Sequence, residues 1–266
     1  MRIYVAGLGL AGPGLTGWPA SRAVLAETAP YVHAPTLLSA PALLPAAEGR
    51  RSGRPVKLAL GVAHEAFTHA GHDPRSTPTV FTSSSGDGDN VHEILEILAS
   101  ADREVSPTRF HNSVHNAAAG YWSIAARSHE PSTSLCGYDA SFAAGLLEAA
   151  AQIEAYDKPV ALIAYDQPYP EPLHAKRSLA DSFGAAFILT PERLERTLAA
   201  LDIRITRAPA AQPTTLPQAD LERMRAGIPA ARCLPLLTAM ARGRSEVVRI
   251  EYLGGAVIEI GIEACV

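Results

Sequence analysis

The chain has 266 residues and a net charge of −4, with 47% hydrophobic and 19% charged residues. That length fits one large domain or two small ones, and it can bury a substantial core without disulfide bonds. The three cysteines, Cys136, Cys233 and Cys265, are widely spaced and form no CxxC pair. This disfavours a cysteine zinc site and favours a reducing, cytoplasmic setting. The small net negative charge gives no reason to expect nucleic acid or an anionic membrane as a partner.

Hydrophobic spacing and turn residues predict alternating strands and helices. The first half reads, in chain order, strand 2–6, helix 21–29, irregular segment 30–53, helix 55–71, strand 79–83, helix 91–100 and helix 116–128. The second half reads strand 132–137, helix 141–156, strands 159–165 and 183–189, helix 191–201, strand 203–206, loop 208–218, and a hairpin of 246–252 and 256–263. This alternation indicates an α/β sandwich. We expect neither a signal peptide at the N-terminus nor a membrane-spanning helix.

Two glycine-containing segments have the composition of phosphate-binding loops. Gly7, Gly9 and Gly12 fit GxGxxG after a strand, but Pro13 follows where a helix must begin, so we expect a tight turn and no nucleotide site. The loop 83–88 lacks the GK[ST] ending of a P-loop, and its aspartates would repel phosphate. We therefore expect a structural turn from strand to helix there.

The histidines do not have the spacing of a metal site. His111 and His115 are four residues apart, in a segment that reads as a loop after Pro107, and no HExxH motif occurs. We expect neither a metal nor another cofactor.

The junction between strand 132–137 and helix 141–156 contains a dense group of polar side chains. No GxSxG nucleophile motif is present in the chain. On physical grounds Asp139 or Ser141 is expected to cap the following helix. A carboxylate at a helix N-terminus stays ionised and is therefore a weak nucleophile.

Three segments, VHNAAAG (114–120), EPSTSLCGYDAS (130–141) and AAGLLEA (143–149), resemble the β-ketoacyl synthase family. That family has an N-x-A-A-G helix start, then a strand, a turn carrying the catalytic cysteine, and a helix. Counting back from Ser141, Asp139 stands where the family has its cysteine, and Cys136 lies three residues earlier. The resemblance covers about residues 1–205. It implies a thiolase-like layered sandwich, the N-terminal half of a synthase, with the C-terminal half largely missing.

The resemblance also implies which chemistry this chain lacks. Condensation needs a thiolate to take the acyl chain, and the family adds two histidines and a lysine from its second half. Here Asp139 replaces the cysteine, and no histidine follows His174. The implied role is a non-catalytic subunit similar to a chain-length factor, as in aryl polyene, polyketide or fatty-acid-type elongation. Its partners would be a full-length synthase, or a second copy of itself, and an acyl carrier protein.

Family positions carried over to this sequence give a set of expected site residues. Residues 132–138 would form the strand at the dimer interface, and residues 110–115 would form a loop facing the acyl tunnel. We expect one domain over 1–266, with a thiolase-like half at 1–205 and a family-specific tail at 206–266. The expected tunnel and interface residues are Phe110, His111, Val114, His115, Asn116, Ser134, Cys136, Tyr138, Ser141 and Phe142.

Two other functions are compatible with the residues alone. One is a free-standing thioester hydrolase or decarboxylase that uses Asp139 with His111 or His115. The other is a homodimeric acyl-binding protein.

Overall fold

The computed structural model describes residues 1–38, 43–208 and 211–265. The irregular segments predicted at 30–53 and 208–218 include residues 39–42 and 209–210, which lie outside the described residues. Within the described residues, no helix is long and apolar enough to cross a membrane.

The described residues form one nine-stranded sheet, most of it antiparallel. Its strands are β1 (Arg2–Gly12), β2 (Leu15–Thr16), β3 (Thr79–Thr82), β4 (Ser132–Leu135), β5 (Val160–Asp166), β6 (Phe183–Thr190), β7 (Ala199–Thr206), β8 (Glu246–Glu251) and β9 (Val257–Ala264). Their order is β4-β3-β5-β6-β1-β7-β9-β8, with β2 paired to β1. Only β4, β3 and β5 run parallel to one another. All other pairs are antiparallel.

Helices cover both faces of the sheet. They are α1 (Trp18–Leu25), α2 (Ala46–Arg51), α3 (Arg54–Ala70), α4 (Gly88–Ala99), α5 (Pro107–Asn112), α6 (Ala117–Ala126), α7 (Ser141–Tyr156), α8 (Ala219–Gly227) and α9 (Leu234–Arg242). On one face α3 and α6 pack together, with Phe67 stacked on Trp122 at 5.3 Å between ring centroids. On the other face α7 packs with α1, α9 and residues of α8 in a second apolar core. The layered α/β sandwich expected from the sequence is confirmed.

The glycine-rich N-terminus is strand and not the turn expected from the sequence. β1 continues through Gly7 and Gly9 to Gly12. A side chain on Gly7 would collide with the carbonyl oxygen of Ala66, and one on Gly9 with the carbonyl oxygen of Val62, both in α3. These two glycines therefore allow the close approach of helix and strand, which is the reason for their spacing.

The helix predicted at 191–201 is wrong. Residues 191–198 form turns, and β7 begins at Ala199. β7 pairs with both β1 and β9, and its first three residues are buried. Pairing within the sheet overrides the local helix propensity of a segment rich in Leu, Glu, Arg and Ala.

The C-terminal segment extends the sheet and also covers it. β8 and β9 form the predicted hairpin and add to β7. Between β7 and β8 the chain forms α8, a 3-10 turn (Pro229–Cys233) and α9, none of which the sequence predicted. Their apolar side chains complete the core against α7.

The two edges of the sheet differ. At the β8 edge, Thr214 accepts a hydrogen bond from the Arg249 N–H (2.9 Å) and donates its own N–H to the Arg249 carbonyl (2.9 Å). At the opposite edge, β4 pairs with β3 on one side, and no described strand pairs with its other side.

Candidate functional site

The turn between β4 and α7 holds the residues that the sequence analysis singled out. β4 ends at Leu135, earlier than expected, so residues 136–138 have already left the strand. Tyr138 has a φ of 56°, a left-handed conformation that is rare for a bulky residue. The Ser141 hydroxyl accepts from the Gly137 N–H (3.1 Å) and donates to the Tyr138 carbonyl (2.6 Å). These two hydrogen bonds hold the strained turn closed.

The expectation that Asp139 or Ser141 caps α7 is wrong. The N-cap residue is Ala140, and no side chain accepts a hydrogen bond from the first turn of the helix. Ser141 is used within the turn, and Asp139 instead accepts a hydrogen bond from Arg177 at 2.7 Å. The carboxylate therefore neutralises a guanidinium.

Arg177 lies in the connection between β5 and β6, and no local sequence pattern indicates its role. Its guanidinium stacks on the Tyr138 ring at 3.7 Å and donates to the Tyr169 hydroxyl at 3.3 Å. Its side chain is 16% exposed, compared with 49% for Asp139. Burial opposes the charge of Arg177, but its hydrogen bonds to Asp139 and Tyr169 outweigh this and raise its pKa. Asp139 is thus part of a Tyr138–Asp139–Arg177–Tyr169 network.

Cys136 is the thiol nearest to this position. Its sulfur accepts from the Tyr138 N–H at 3.5 Å and lies 3.7 Å from the Ser84 carbonyl oxygen. The residue is exposed and sits before the turn, away from the first residue of α7.

The segment expected to be a tunnel-facing loop is partly helical. α5 begins after Ser106, whose hydroxyl accepts from the Arg109 N–H, and Pro107 occupies its first turn. Phe110 is 70% exposed and Val114 is 51% exposed. His111 packs edge-on against Tyr121.

His115 and Asn116 follow α5 and lie at the surface. The Nε2 atom of His115 is 3.1 Å from the Ser83 carbonyl oxygen. Asn116 is the N-cap residue of α6 and makes no side-chain capping bond. Among the described hydrogen bonds, none joins Asp139 to His111 or His115.

Two of the expected site residues face inward. Phe142 is fully buried and packs against Phe187, with ring centroids 5.6 Å apart. The Ser134 hydroxyl is buried and has no hydrogen-bond partner among the described residues. The structure does not bring Phe142 together with the exposed residues Phe110, Val114 and Tyr138.

The apolar side of α4 was missed by the sequence analysis. Within α4 only Asn90 is buried, whereas Val91, Leu95 and Leu98 are exposed. Their spacing of i, i+4 and i+7 places them on one helix face, and this signal was available in the sequence. We call the exposed residues of α4, α5 and the following turn the apolar patch; its members are Val91, Leu95, Leu98, Phe110 and Val114.

Two contacts link α4, which carries part of the apolar patch, to neighbouring elements. The Asn90 amide donates to the Arg109 carbonyl at 2.8 Å and thereby joins α4 to α5. The loop that leads into α4 contacts Cys136 through Ser84. These two contacts join the start of α4 to α5 and to the residue that follows β4.

Asp166 is a second feature that the sequence analysis missed. This last residue of β5 is 1% exposed, and burial raises its pKa to about 6. Four hydrogen bonds, from Ser83, Ser84 and Ala230, lower the pKa and partly offset the effect of burial. A charged residue at the end of an otherwise apolar strand is the sequence signal that could have identified it. In the described part of the chain, no three His, Cys, Asp or Glu side chains are grouped to hold a metal.

The family profile described as "Beta-ketoacyl synthase, N-terminal domain" matches residues 18–243, which is most of the chain and extends beyond residue 205. The comparison with curated proteins gives no match.

Solved structures share the fold at low sequence identity. One is a chain of the complex of a ketosynthase (ApeO) with its chain length factor (ApeC) from Xenorhabdus doucetiae, with 20% identity, a TM-score of 0.74, and coverage of 98% of this chain and 99% of that chain. Another is the ishigamide ketosynthase/chain length factor, with 16% identity, a TM-score of 0.73, and coverage of 100% and 99%. A third is a type II PKS acyl-carrier protein in complex with its ketosynthase (AntDE:AntF), with 13% identity, a TM-score of 0.73, and coverage of 99% of each chain.

At these identities the matched chains establish the fold alone. The predicted thiolase-like fold, corresponding to the N-terminal half of a synthase, is confirmed by the profile and by these neighbours. The chain belongs to the β-ketoacyl synthase family, whose N-terminal domain it carries.

Proposed function

We propose that this protein is a non-catalytic partner subunit of a β-ketoacyl synthase, similar to a chain-length factor. The observation that carries the proposal is the ion pair between Asp139 and Arg177 at the position of the family's nucleophile. Acyl transfer to a synthase requires a thiolate, and the group at this position is a carboxylate held by a guanidinium. Arg177 donates a hydrogen bond to the Asp139 carboxylate, and its guanidinium lies over the Tyr138 and Tyr169 rings. These contacts hold the carboxylate in an ion pair.

The surface next to this position supports a partner subunit. The uncovered edge of β4 offers backbone N–H and C=O groups to another strand, and the apolar patch offers exposed apolar side chains. Monomeric proteins usually avoid exposing an unpaired edge strand or a large apolar surface. The descriptions of the neighbouring structures, in which a ketosynthase is paired with its chain length factor or with an acyl carrier protein, agree with this role.

In the proposed complex, β4 pairs with the equivalent strand of a full-length synthase, and the apolar patch borders the tunnel for a growing carrier-bound chain. Phe110 is its largest and most exposed member, so it would limit the depth of that tunnel. A polyene or another polyketide or fatty-acid-type chain fits such a tunnel because the patch is apolar.

Co-expression with a full-length synthase tests the proposal. We expect a one-to-one complex on size exclusion, and elongation by the synthase that depends on this chain but is unchanged by Asp139→Ala. The proposal fails if no complex forms and the synthase elongates equally well alone. Hydrolysis of acyl thioesters by the purified chain, abolished by Asp139→Ala, would instead support the hydrolase alternative. A stable homodimer that binds acyl chains would support the acyl-binding alternative.

Phe110→Ala tests the role of the patch within that complex. We expect longer products at similar total turnover, because removing the ring deepens the tunnel. Tyr156→Ala, at the far end of α7, is the control, since Tyr156 is an equally exposed aromatic residue (72%) away from the patch. Product lengths measured by mass spectrometry should be unchanged in this control.

A further inference from the structure

Asp166 connects parts of the chain that are far apart in sequence. Its Oδ1 atom accepts from the Ser84 N–H (2.8 Å), the Ser84 hydroxyl (2.7 Å) and the Ser83 hydroxyl (3.2 Å). Its Oδ2 atom accepts from the Ala230 N–H at 2.8 Å. Ala230 is buried in the 3-10 turn between α8 and α9, so one carboxylate joins the loop after β3 to the C-terminal segment.

The loop that Asp166 holds is the one from which α4 begins. The Ser83 hydroxyl accepts from the N–H groups of Ser85 (3.3 Å) and Gly86 (3.0 Å), two residues before α4. The Ser83 carbonyl oxygen contacts the His115 ring, which follows α5. The hydrogen bonds of Asp166 therefore reach the start of α4 on one side and the end of the α5 segment on the other.

Burying a carboxylate is unfavourable unless it is fully hydrogen-bonded, and this one has four donors from two segments. By contrast, the apolar face of α4 makes few contacts with the protein, and only Asn90 of that helix is buried. The position of α4 thus depends on its N-terminal loop and on α5 more than on packing along its length.

We propose that Asp166 is a positioning residue that couples the C-terminal segment to α4 and so sets where the apolar patch lies. The effect on products rests on the proposed function, because it requires the patch to border the acyl tunnel. The effect on α4 itself does not. The two parts can therefore fail separately.

Ser84→Ala is the test variant, because it removes one hydroxyl donor to Asp166 and leaves the backbone donors and the core unchanged. Ser85→Ala is the matched control, since the Ser85 hydroxyl lies in the same loop and has no partner among the described residues. In hydrogen exchange followed by mass spectrometry, we expect amides of α4 to exchange about tenfold faster in Ser84→Ala, the factor that corresponds to losing one hydrogen bond to a charged group. Exchange in β5 and α7 should stay unchanged.

With the synthase complex, Ser84→Ala should also broaden the distribution of product lengths while the affinity between the subunits stays within about twofold. Ser85→Ala should match the wild type in both measurements. Equal exchange of α4 in the two variants, or a uniform increase across the whole chain, would overturn the inference. If no complex forms, the proposed function fails, and the exchange of the free chain still decides the role of Asp166.

Discussion

In the turn between β4 and α7, Asp139 forms an ion pair with Arg177. Arg177 is mostly buried, and a buried guanidinium needs a counter-charge. Asp139 supplies it, and the rings of Tyr138 and Tyr169 cover the guanidinium. Tyr138 adopts a left-handed conformation in this turn, which is strained for a bulky residue.

Tyr138 allows the strain of this turn to be measured. Tyr138→Ala and Tyr138→Gly both remove the ring that stacks on Arg177, but only glycine adopts a φ of 56° without steric cost. We expect Tyr138→Gly to be more stable than Tyr138→Ala by about 1 kcal/mol. Urea unfolding of the two variants measures this difference. If the alanine variant is equally stable, the turn is not strained.

Asp166 should make stability depend on pH with an unusual sign. Its pKa in the folded chain is about 6, above the ordinary value of 3.8, because the carboxyl group is buried. The folded state therefore binds the proton more tightly. Its stabilising contribution is complete below about pH 4 and is lost as the pH rises to 6, at up to about 1.4 kcal/mol per pH unit.

Asp166→Asn cannot titrate and serves as the reference for this prediction. The unfolding free energy of the wild type minus that of Asp166→Asn should fall steadily from pH 4 to 6 and level off above that. Histidines whose pKa is lowered by burial, such as His69 and His72, contribute equally to both proteins and cancel. A difference that is constant over this range contradicts the prediction.

At the scale of elements, β4 and β8 show how differently a sheet can end. Two hydrogen bonds show which residues of β4 face β3: the Thr79 N–H donates to the Pro131 carbonyl, and the Ser83 N–H donates to the Leu135 carbonyl. Alternate residues of β4 therefore bond to β3, and the backbone groups of Ser134 point to the uncovered side. At β8, the backbone N–H and C=O of Arg249 point outward, and both form hydrogen bonds with Thr214.

Proline at the two edges should separate partner binding from folding. Ser134→Pro removes an outward N–H of β4 and should weaken the complex with the synthase at least about tenfold, with little loss of stability. Val247→Pro removes an outward N–H of β8, two residues from Arg249, and should leave the complex intact. Sedimentation with the synthase and thermal unfolding of both variants measure the two effects. Equal binding by both variants would exclude β4 as the interface.

Elements with strong local patterns were predictable from the sequence. The helices at α3 and α7 and the hairpin of β8 and β9 follow apolar spacing and glycine turns. The helix predicted at 191–201 and the turn predicted at Gly7–Gly12 were wrong because distant elements decide them. β7 is a strand because it pairs with β1 and β9, and the N-terminal glycines allow α3 to pack closely on β1.

The contacts of the candidate site could not be predicted from the sequence. The spacing to Ser141 predicts only that Asp139 stands at the family's nucleophile position, and this stays a prediction. Its contact with Arg177 could not be predicted, because the Arg177 side chain reaches the turn from a connection 38 residues along the chain. The contacts of Asp166 could not be predicted either, since its partner Ala230 lies 64 residues away. Pairs of this kind depend on tertiary structure and leave no local pattern.

At the scale of the whole molecule, the C-terminal segment belongs to the same core as the rest. Buried residues of the tail pack with α7 and β7, among them Leu221, Leu234, Leu237, Ile258 and Ile260. Each such side chain contributes about 1.5–3 kcal/mol when buried, compared with about 5–15 kcal/mol for the net stability of a domain. This arithmetic favours a single domain over residues 1–266, which stays a prediction.

Removing residues 206–266 should therefore abolish folding. The full chain should unfold in one cooperative transition, and the truncated chain should show neither a transition nor dispersed amide signals. Circular dichroism during urea unfolding, together with amide NMR spectra, measures both. A truncated chain with its own sharp transition would show that the tail is a separate unit.

The uncovered edge of β4 also has a consequence for the protein inside a cell. A protein that exposes an unpaired edge strand is prone to aggregate and to be degraded while it is alone. A partner that covers this edge would remove both hazards. The amount of this protein would then follow the amount of its partner, so that excess copies disappear and the two chains stay in equal number without matched synthesis.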